Sequence, residues 1–365
     1  MTIYEKLGVK TRINARGTIT LLGGSLMDPS VLEAMTEASK HFVDINELHK
    51  RAGEYIASLL DVEAACITCG ASAGIAISTA ACMAGKDKGR ILQLPDTHGM
   101  KNEVLMLKSH RNLYDQAVLT AGAKIVDVGL TSFCCIESVR NTITENTCMF
   151  FYATEASTMR GSIPLRDIIA LMNEYNIPVV VDAAAELPPR NNITQFLDMG
   201  ASLVVFSGGK EIRGPQSSGL ILGKKDLIEA CDENSCPHHS IGRAMKVDKE
   251  TIAGLVRAVE LFCDKDYEKQ LEVWDSWVEY MISKASQFKG IKCYKGYPTE
   301  PGIQPTIRPR MYVEKEGKSA NEIFDELWNG TPSIKIGVES GCAAINPQCL
   351  KEDEIQIVLD SISKL

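Results

Sequence analysis

The sequence predicts an α/β fold with a mostly parallel central sheet, followed by a smaller α+β domain. Between residues 61 and 223, short apolar runs rich in β-branched residues alternate with helix-length amphipathic segments. That alternation is typical of a parallel sheet with helices on both faces. After residue 223 the pattern changes to long helical segments and then to mixed strands and helices, which indicates a second domain.

Seven apolar runs are predicted as strands of the large sheet. The first six are separated by segments compatible with helices. The seventh follows the sixth with no helix between them, so we expect it to be antiparallel. The predicted strands are residues 64–67, 90–94, 124–128, 148–152, 178–182, 202–206 and 219–222.

The smaller domain is predicted to begin near residue 247. A helical pattern without proline covers residues 249–285, and strand-like and helical runs follow, including a strand expected to begin at residue 306. We therefore divide the chain into an N-terminal arm at residues 1–23, a large α/β domain at residues 24–247 and a C-terminal α+β domain at residues 248–365.

Composition argues against nucleic-acid and membrane partners. The 365 residues carry a formal net charge of −8, and an acidic protein repels the phosphate backbone. No apolar run approaches the roughly 20 residues that span a bilayer, and the first residues lack a signal-peptide pattern. We expect a cytoplasmic protein whose twelve cysteines are reduced thiols.

Lys210 is the first candidate for a reacting residue. It ends the segment Ser207-Gly208-Gly209-Lys210, directly after a predicted strand. Glycines at such a point let a planar ligand approach the backbone, and a lysine amine can form a Schiff base with an aldehyde cofactor. The ordinary alternative is a solvated surface lysine.

Two earlier segments carry complementary chemistry. Asp182 ends a buried strand, where a carboxylate can hold a cofactor's ring nitrogen protonated; the alternative is a helix or turn cap. Gly70, Ala71 and Ser72 lie between a strand and a helix, where backbone amides can converge on a phosphate. The alternative there is an ordinary turn with Ser72 as the helix cap.

The order of these three features resembles the fold-type-I enzymes that use pyridoxal 5′-phosphate (PLP). Within that class the chain resembles the selenocysteine synthase-like family, which includes seryl-tRNA(Sec) selenium transferase and D-glucosaminate-6-phosphate ammonia-lyase. The matching segments span nearly the whole chain: INARGT at residues 13–18, GAS at 70–72, VDAA at 181–184, SGGK at 207–210, RGPQ at 213–216 and RAMKVDK at 243–249.

The resemblance implies a role for each of these residues. Lys210 is the expected Schiff-base lysine and Asp182 the partner of the pyridine nitrogen. His98, which the predicted strands place after the second strand of the sheet, is expected to stack on the cofactor ring; the alternative is a surface-loop histidine. The expected phosphate ligands are Gly70, Ala71, Ser72 and Ser207.

Substrate anions are expected to meet arginines. Arg213, Arg243, Arg308 and Arg310 are the candidates, since arginine pairs with carboxylates in a bidentate fashion. For a distal phosphate the candidates are Arg160, Arg213, Arg243 and Lys246, which the sequence does not rank; Arg243 and Lys246 could equally face solvent. No metal is expected, because Cys231, Cys236, His238 and His239 lack a second cysteine pair at zinc-ribbon spacing.

The resemblance implies a PLP-dependent lyase acting on a small amino acid or amino sugar acid, with D-glucosaminate 6-phosphate as the leading substrate. Lys210 would remove the Cα proton, the Cβ hydroxyl would leave, and ammonia and a 2-oxo acid would be released. The alternatives are a selenium transferase, a racemase or aldolase, and a non-enzymatic binding protein. The short segment before residue 13 and the acidity disfavour a tRNA partner. We expect a homodimer or a larger homo-oligomer.

Overall fold

The computed structural model of the chain describes residues 1–297 and 308–365. These residues form two compact units: a larger one at residues 27–265, and a smaller one at residues 1–26, 266–297 and 308–365. This grouping assigns the helix at residues 249–264 to the larger unit, whereas the sequence-based boundary assigns it to the smaller. Residues 306–307 of a predicted strand lie outside the described residues.

The helices of the described residues are numbered in chain order. They are α1 (Ile3–Lys6), α2 (Pro29–Ala38), α3 (Ile45–Leu60), α4 (Ala71–Ala84), α5 (Lys88–Gln93), α6 (Asp115–Thr120), α7 (Ile136–Thr142), α8 (Leu165–Glu174), α9 (Asn192–Asp198), α10 (Lys225–Glu233), α11 (Lys249–Asp264), α12 (Tyr267–Ala285), α13 (Ala320–Asn329) and α14 (Glu352–Ile362). Within the two described ranges, none of them combines the length and the apolar character that crossing a bilayer requires.

The strands are numbered in the same way. They are β1 (Ile13–Asn14), β2 (Ala64–Thr68), β3 (Glu103–Leu107), β4 (Lys124–Val128), β5 (Thr147–Ala153), β6 (Val179–Asp182), β7 (Leu203–Ser207), β8 (Gly219–Gly223), β9 (Ile291–Gly296), β10 (Arg310–Lys315), β11 (Ile334–Lys335), β12 (Gly337–Glu339) and β13 (Cys342–Ile345).

The larger unit is built on one seven-stranded sheet in the order β2-β8-β7-β6-β5-β3-β4. β8 is antiparallel to both of its neighbours, and the other pairs are parallel. All seven residues of β5 and all five of β8 are buried, as expected of a sheet covered on both faces. The predicted α/β class and the antiparallel last strand are both confirmed.

The prediction of a strand at residues 90–94 is wrong. Most of these residues belong to α5, which begins after Asp87, and the Asp87 side chain accepts a hydrogen bond from the Arg90 amide at 3.0 Å. A short apolar run cannot be assigned to helix or strand by its period alone, and here the aspartate cap favours the helix. The sheet position is taken by β3, in which residues 104–107 are buried.

The smaller unit has an antiparallel sheet in the order β12-β13-β10-β9 and a separate parallel pair of β1 with β11. Its core is apolar and includes Met311, Val313 and Ile345 from the sheet together with Val358 from α14. Ile13 pairs with Ile334 and is part of this core. The N-terminal segment is therefore an integral part of this unit's sheet pair and core.

Candidate active site

The parallel strands of the larger unit bring five chain segments to one end of the sheet. Because β2 and β7 are both antiparallel to β8, they run in the same direction as each other and as β3, β5 and β6. The residues that follow these strands therefore meet at the carboxyl end of the sheet. They are Gly70, His110, Thr154, Asp182 and Lys210.

The N-terminus of α4 forms the anion-binding part of this end. The helix begins after Gly70, whose φ of 140° lies in the region that favours glycine, and no side chain caps it. The amides of its first turn are thus free of intrahelical partners and point toward the carboxyl end of the sheet. Ser72 is exposed in that first turn. A 14-residue helix with this start is suited to binding a phosphate.

Gly219 packs directly against this loop from β8. A Cβ atom added at Gly219 would lie 2.5 Å from the Gly70 carbonyl carbon and 2.6 Å from Thr68 Oγ1. Thr68 Oγ1 also donates a hydrogen bond to the Gly70 carbonyl oxygen at 2.9 Å. The position of Gly70 is therefore fixed both by a hydrogen bond and by a close approach that only glycine allows.

Asp182 ends β6 at the same end of the sheet. Its Oδ1 accepts a hydrogen bond from the Ala184 amide at 3.0 Å, and the hydroxyl of Thr154 donates to its main-chain carbonyl at 2.7 Å. Burial raises the pKa of the Asp182 carboxyl group, while the Ala184 amide and the charge of Lys210 oppose that rise. A desolvated carboxylate of this kind gains from a cationic partner.

Lys210 lies in a tight turn after β7. The Gly208 amide donates to the Ser218 carbonyl and the Gly214 amide to the Gly208 carbonyl, each at 2.9 Å, and the Arg213 amide donates to the Lys210 carbonyl at 3.0 Å. Lys210 is half-buried, and its charge acts on Asp182. The structure thus brings the predicted lysine and aspartate within electrostatic reach of each other.

The remaining phosphate candidate, Ser207, is the last residue of β7 and is paired with Gly219. It is half-buried and stands three residues before Lys210. Gly219 packs on Gly70, the residue before α4. Because Ser207 is paired with Gly219, it lies on the same face of the sheet as the N-terminus of α4.

His98 is not where the sequence analysis placed it. It precedes β3 instead of following a strand, so it lies toward the amino end of the sheet, and it is exposed. Its carbonyl accepts a hydrogen bond from Gln93 at 2.8 Å. The placement failed because it rested on the strand wrongly predicted at residues 90–94.

The histidine that does follow β3 is His110, which sequence reasoning missed. It is fully buried, its Nδ1 accepts from the Ala153 amide at 3.3 Å, and its Nε2 lies 2.8 Å from Ser162 Oγ. Burial lowers the pKa of His110 to about 4. The neutral ring therefore carries its proton on Nε2 and links the end of β3 to the end of β5.

The arginine and lysine candidates of the larger unit differ in their surroundings. Arg213 is half-buried in the Lys210 turn, with a φ of 60° that is unusual for a residue with a side chain. Arg243 is exposed, and its Nη1 lies 3.9 Å from Cys236 Sγ. Arg160 and Lys246 are also exposed. Only Arg213 is held within the same turn as Lys210.

The two arginine candidates of the smaller unit are not equivalent. Arg310, on β10, is 2% exposed and its Nε lies 3.3 Å from Glu339 Oε1. Arg308 precedes the strand, is half-buried and donates to Gln348 Oε1 at 3.3 Å. Arg310 is thus engaged in an internal ion pair, and Arg308 is engaged with Gln348.

All twelve cysteines are free thiols. Across residues 1–297 and 308–365, no three histidine, cysteine or acidic side chains are grouped so that they could hold a metal ion.

A half-buried lysine, a strand-end aspartate and an uncapped helix N-terminus at one end of such a sheet are typical of the fold-type-I PLP-dependent enzymes. The residues present fit PLP: an amine for its aldehyde, a desolvated carboxylate for its ring nitrogen and helix amides for its phosphate. The family model for L-seryl-tRNA selenium transferase matches residues 111–287.

Two similar proteins cover nearly the whole chain. A D-glucosaminate-6-phosphate ammonia lyase of Salmonella typhimurium is 30% identical over 100% of this chain and 97% of its own length. A 5′-C-glycyluridine monooxygenase-decarboxylase of a Streptomyces species is 31% identical over 99% of this chain and 91% of its own length. A solved structure of a D-glucosaminate-6-phosphate ammonia-lyase superposes with a TM-score of 0.87 at 29% identity, covering 100% of this chain and 98% of that one.

The chain belongs to the L-seryl-tRNA selenium transferase-like family of PLP-dependent enzymes. The family and the cofactor inferred from its motifs are thereby confirmed.

Proposed function

We propose that this protein is a PLP-dependent ammonia-lyase whose substrate is D-glucosaminate 6-phosphate or a closely related phosphorylated amino sugar acid. The observation that carries the proposal is that Lys210 and Asp182 lie at the carboxyl ends of neighbouring parallel strands, within electrostatic reach of each other, at the end of the sheet where α4 begins. This arrangement occurs in a chain that is similar over its full length to an ammonia lyase.

In this proposal the site residues hold the cofactor at three points. The first-turn amides of α4, with Ser72 and Ser207, bind its phosphate, and Asp182 binds its ring nitrogen. Lys210 binds its aldehyde carbon. Bound PLP supplies an aldehyde that joins the substrate amine and a ring that accepts electrons from Cα.

Lys210 then acts as the general base. With substrate and PLP bound, the Lys210 amine would remove the Cα proton, and the Cβ hydroxyl would take its bonding electrons and a proton and leave as water. Water completes the reaction, which releases ammonia and the 2-oxo-3-deoxy acid. The negative charge of Asp182 keeps the ring nitrogen protonated throughout.

His110 serves as a positioning residue in this proposal. Its Nδ1 holds the Ala153 amide, and the next residue, Thr154, donates to the Asp182 main chain. The buried imidazole thus helps to fix the end of β6 that carries the carboxylate. For a substrate anion we propose Arg213, which lies in the same turn as Lys210.

The first experiment tests the cofactor attachment. We expect the purified protein to absorb visible light when loaded with PLP, and borohydride reduction to fix the cofactor on the peptide that contains Lys210. Lys210→Ala should lose both properties. A wild-type protein that cannot be loaded with PLP would refute the proposal.

The second experiment tests the substrate. D-glucosaminate 6-phosphate is supplied to the PLP-loaded enzyme, and ammonia and the 2-oxo acid are measured together. The competing candidate is an oxygen-dependent decarboxylase, favoured by the 31% identity to the Streptomyces enzyme. Oxygen uptake and carbon dioxide release with 5′-C-glycyluridine, without ammonia release from the sugar acid, would replace the lyase proposal by that one.

The remaining alternatives are tested in the same preparation. A selenium transferase would bind its tRNA in a gel shift that weakens steeply with salt. A racemase or an aldolase would convert a small amino acid without net ammonia release. A binding protein would show none of these reactions.

We further propose that the protein works in the cytoplasm as a homodimer or a larger homo-oligomer, without a nucleic-acid or membrane partner. Within the larger unit, Phe42 is fully exposed and Val43 and Leu32 are about half exposed. Apolar side chains exposed together often mark an interface. Light scattering at several protein concentrations tests the oligomer, and a monomer at all concentrations would exclude it.

A further inference from the structure

A buried carboxylate lies next to the reactive lysine. Glu211, the residue after Lys210, is 2% exposed. Acidic side chains are almost never buried to this extent unless they are paired. Glu211 is not needed for any step proposed above.

The partner of this carboxylate comes from the end of α11. Lys265 Nζ lies 3.0 Å from Glu211 Oε1, and Lys265 itself is 24% exposed. Burial is the largest effect on Lys265 and lowers the pKa of its amine; Arg213 acts in the same direction, and Glu211 opposes both. The two charges are therefore held together in a largely desolvated place.

Helix α11 also supports the same turn by packing. A Cβ atom added at Gly214 would lie 3.2 Å from Leu255 Cδ1 and 3.3 Å from Ala258 Cβ, and one added at Gly254 would lie 2.9 Å from Pro215 Cγ. The turn that carries Lys210 is thus packed on α11, and the Glu211–Lys265 pair ties it to the end of the same helix.

Two further charges act on the reactive amine and on this pair. Asp182 of β6 interacts with Lys210, and Arg213 of the turn interacts with Lys265. The negative charge next in sequence to Lys210 would favour the protonated amine if it stood alone. Lys265 places a positive charge 3.0 Å from that carboxylate and opposes its effect.

We propose that Glu211 and Lys265 form a positioning pair for Lys210, in which Lys265 neutralises the neighbouring carboxylate so that the reactive amine can lose its proton. The pair sets the proton affinity of Lys210 and fixes the position of the turn that carries it, and it does not contact the substrate. The inference rests on the proposed function of Lys210 as the base.

The proton affinity of Lys210 can be measured without cofactor or catalysis. Cofactor-free protein is labelled with trace acetic anhydride across a pH series, and mass spectrometry quantifies acetylation of the Lys210 peptide. The variants are Lys265→Met, Glu211→Gln, the double variant and Lys265→Arg. Lys269→Met, which removes an exposed lysine four residues further on, is the matched control.

The two single variants should shift the labelling midpoint of Lys210 in opposite directions. Lys265→Met leaves the carboxylate uncompensated and should raise the midpoint by about one pH unit, whereas Glu211→Gln leaves the ammonium uncompensated and should lower it by about one unit. In the double variant and in Lys265→Arg, the labelling midpoint of Lys210 should lie within about 0.3 pH unit of the wild-type value. Lys269→Met should leave this midpoint unchanged.

A purely structural role predicts a different result. In that case the variants lower the melting temperature while the Lys210 midpoint stays within about 0.3 unit of wild type, and the proposal is overturned. A shift of the same sign in both single variants overturns it too. If Lys265→Met does not fold, the sign of the Glu211→Gln shift decides. PLP loading, measured separately, reports on the proposed function and not on this pair.

Discussion

Replacing Gly219 by alanine should weaken cofactor binding through the phosphate-binding loop. The new Cβ would lie 2.5 Å from the Gly70 carbonyl carbon, about 0.9 Å closer than an ordinary contact of 3.4 Å. β8 cannot yield easily, because Gly219 is paired with Thr68 on one side and Ser207 on the other. Gly70 must therefore move, and the first amides of α4 move with it.

The size of the effect follows from the hydrogen bonds at risk. Each hydrogen bond from a main-chain amide to a charged phosphate contributes about 1.5–3 kcal/mol. Misplacing one of these amides should therefore weaken PLP binding about 10- to 100-fold. Overpacking should also lower the stability of the fold by about 1–3 kcal/mol. Absorbance titration of cofactor-free protein with PLP measures the first effect and urea unfolding the second.

The control is Gly89→Ala in α5, where the added Cβ meets only the Asp87 side chain, at 3.2 Å. This exposed helical position should tolerate alanine and gain a few tenths of a kcal/mol in stability. If Gly219→Ala bound PLP with wild-type affinity, the assignment of the α4 N-terminus as the phosphate site would be wrong.

Three further predictions concern other parts of the molecule. Asp182→Asn should retain PLP but lower ammonia release by about 100-fold or more, because a neutral amide cannot hold the ring nitrogen protonated; equal turnover would exclude that role. Burial lowers the pKa of His110 from 6.5 to about 4, so its stability contribution is present above pH 6.5 and lost as the pH falls toward 4. The free energy of unfolding of the His110→Asn variant should therefore change less between pH 6.5 and pH 4 than that of the wild type. Glu339→Gln, which leaves Arg310 buried without its ion-pair partner, should lower the free energy of unfolding by about 3 kcal/mol, whereas Glu326→Gln at an exposed pair should change it by less than about 1 kcal/mol.

The sheet of the larger unit could be predicted because most of its strands are buried on both faces. A run such as residues 179–182, three valines and an aspartate, is long enough and sufficiently β-branched to be distinct from the helices around it. Parallel pairing of β6 with β7 puts Asp182 and Lys210 at one end of the sheet, and the antiparallel strand β8 between β7 and β2 brings Gly70 to the same end. The core of the site was therefore contained in local pattern and chain order.

β3 was missed because the local pattern does not distinguish it from the helix before it. Residues 103–107 and residues 91–94 are both short apolar runs, and each contains only one β-branched residue. The available signal was Asp87, which caps the run at residues 91–94 as a helix. With β3 as the strand, the histidine that follows it is His110, and His98 precedes it.

The other features that the sequence could not supply depend on partners far away in the chain. Arg308 and Arg310 look equivalent in sequence, but Glu339, 29 residues beyond Arg310, pairs with only one of them in the structure. From the sequence alone, Glu211 would be taken for an exposed charge. In the structure Lys265, 54 residues later, forms an ion pair with it. The local hydrophobic pattern of the sequence predicts which residues end strands. The charge state of those residues, and whether they are free to bind a ligand, depend on contacts that form only in the folded chain. For this site, the residues proposed to bind the cofactor were predicted from the sequence, whereas the pair proposed to tune Lys210 was found only in the structure.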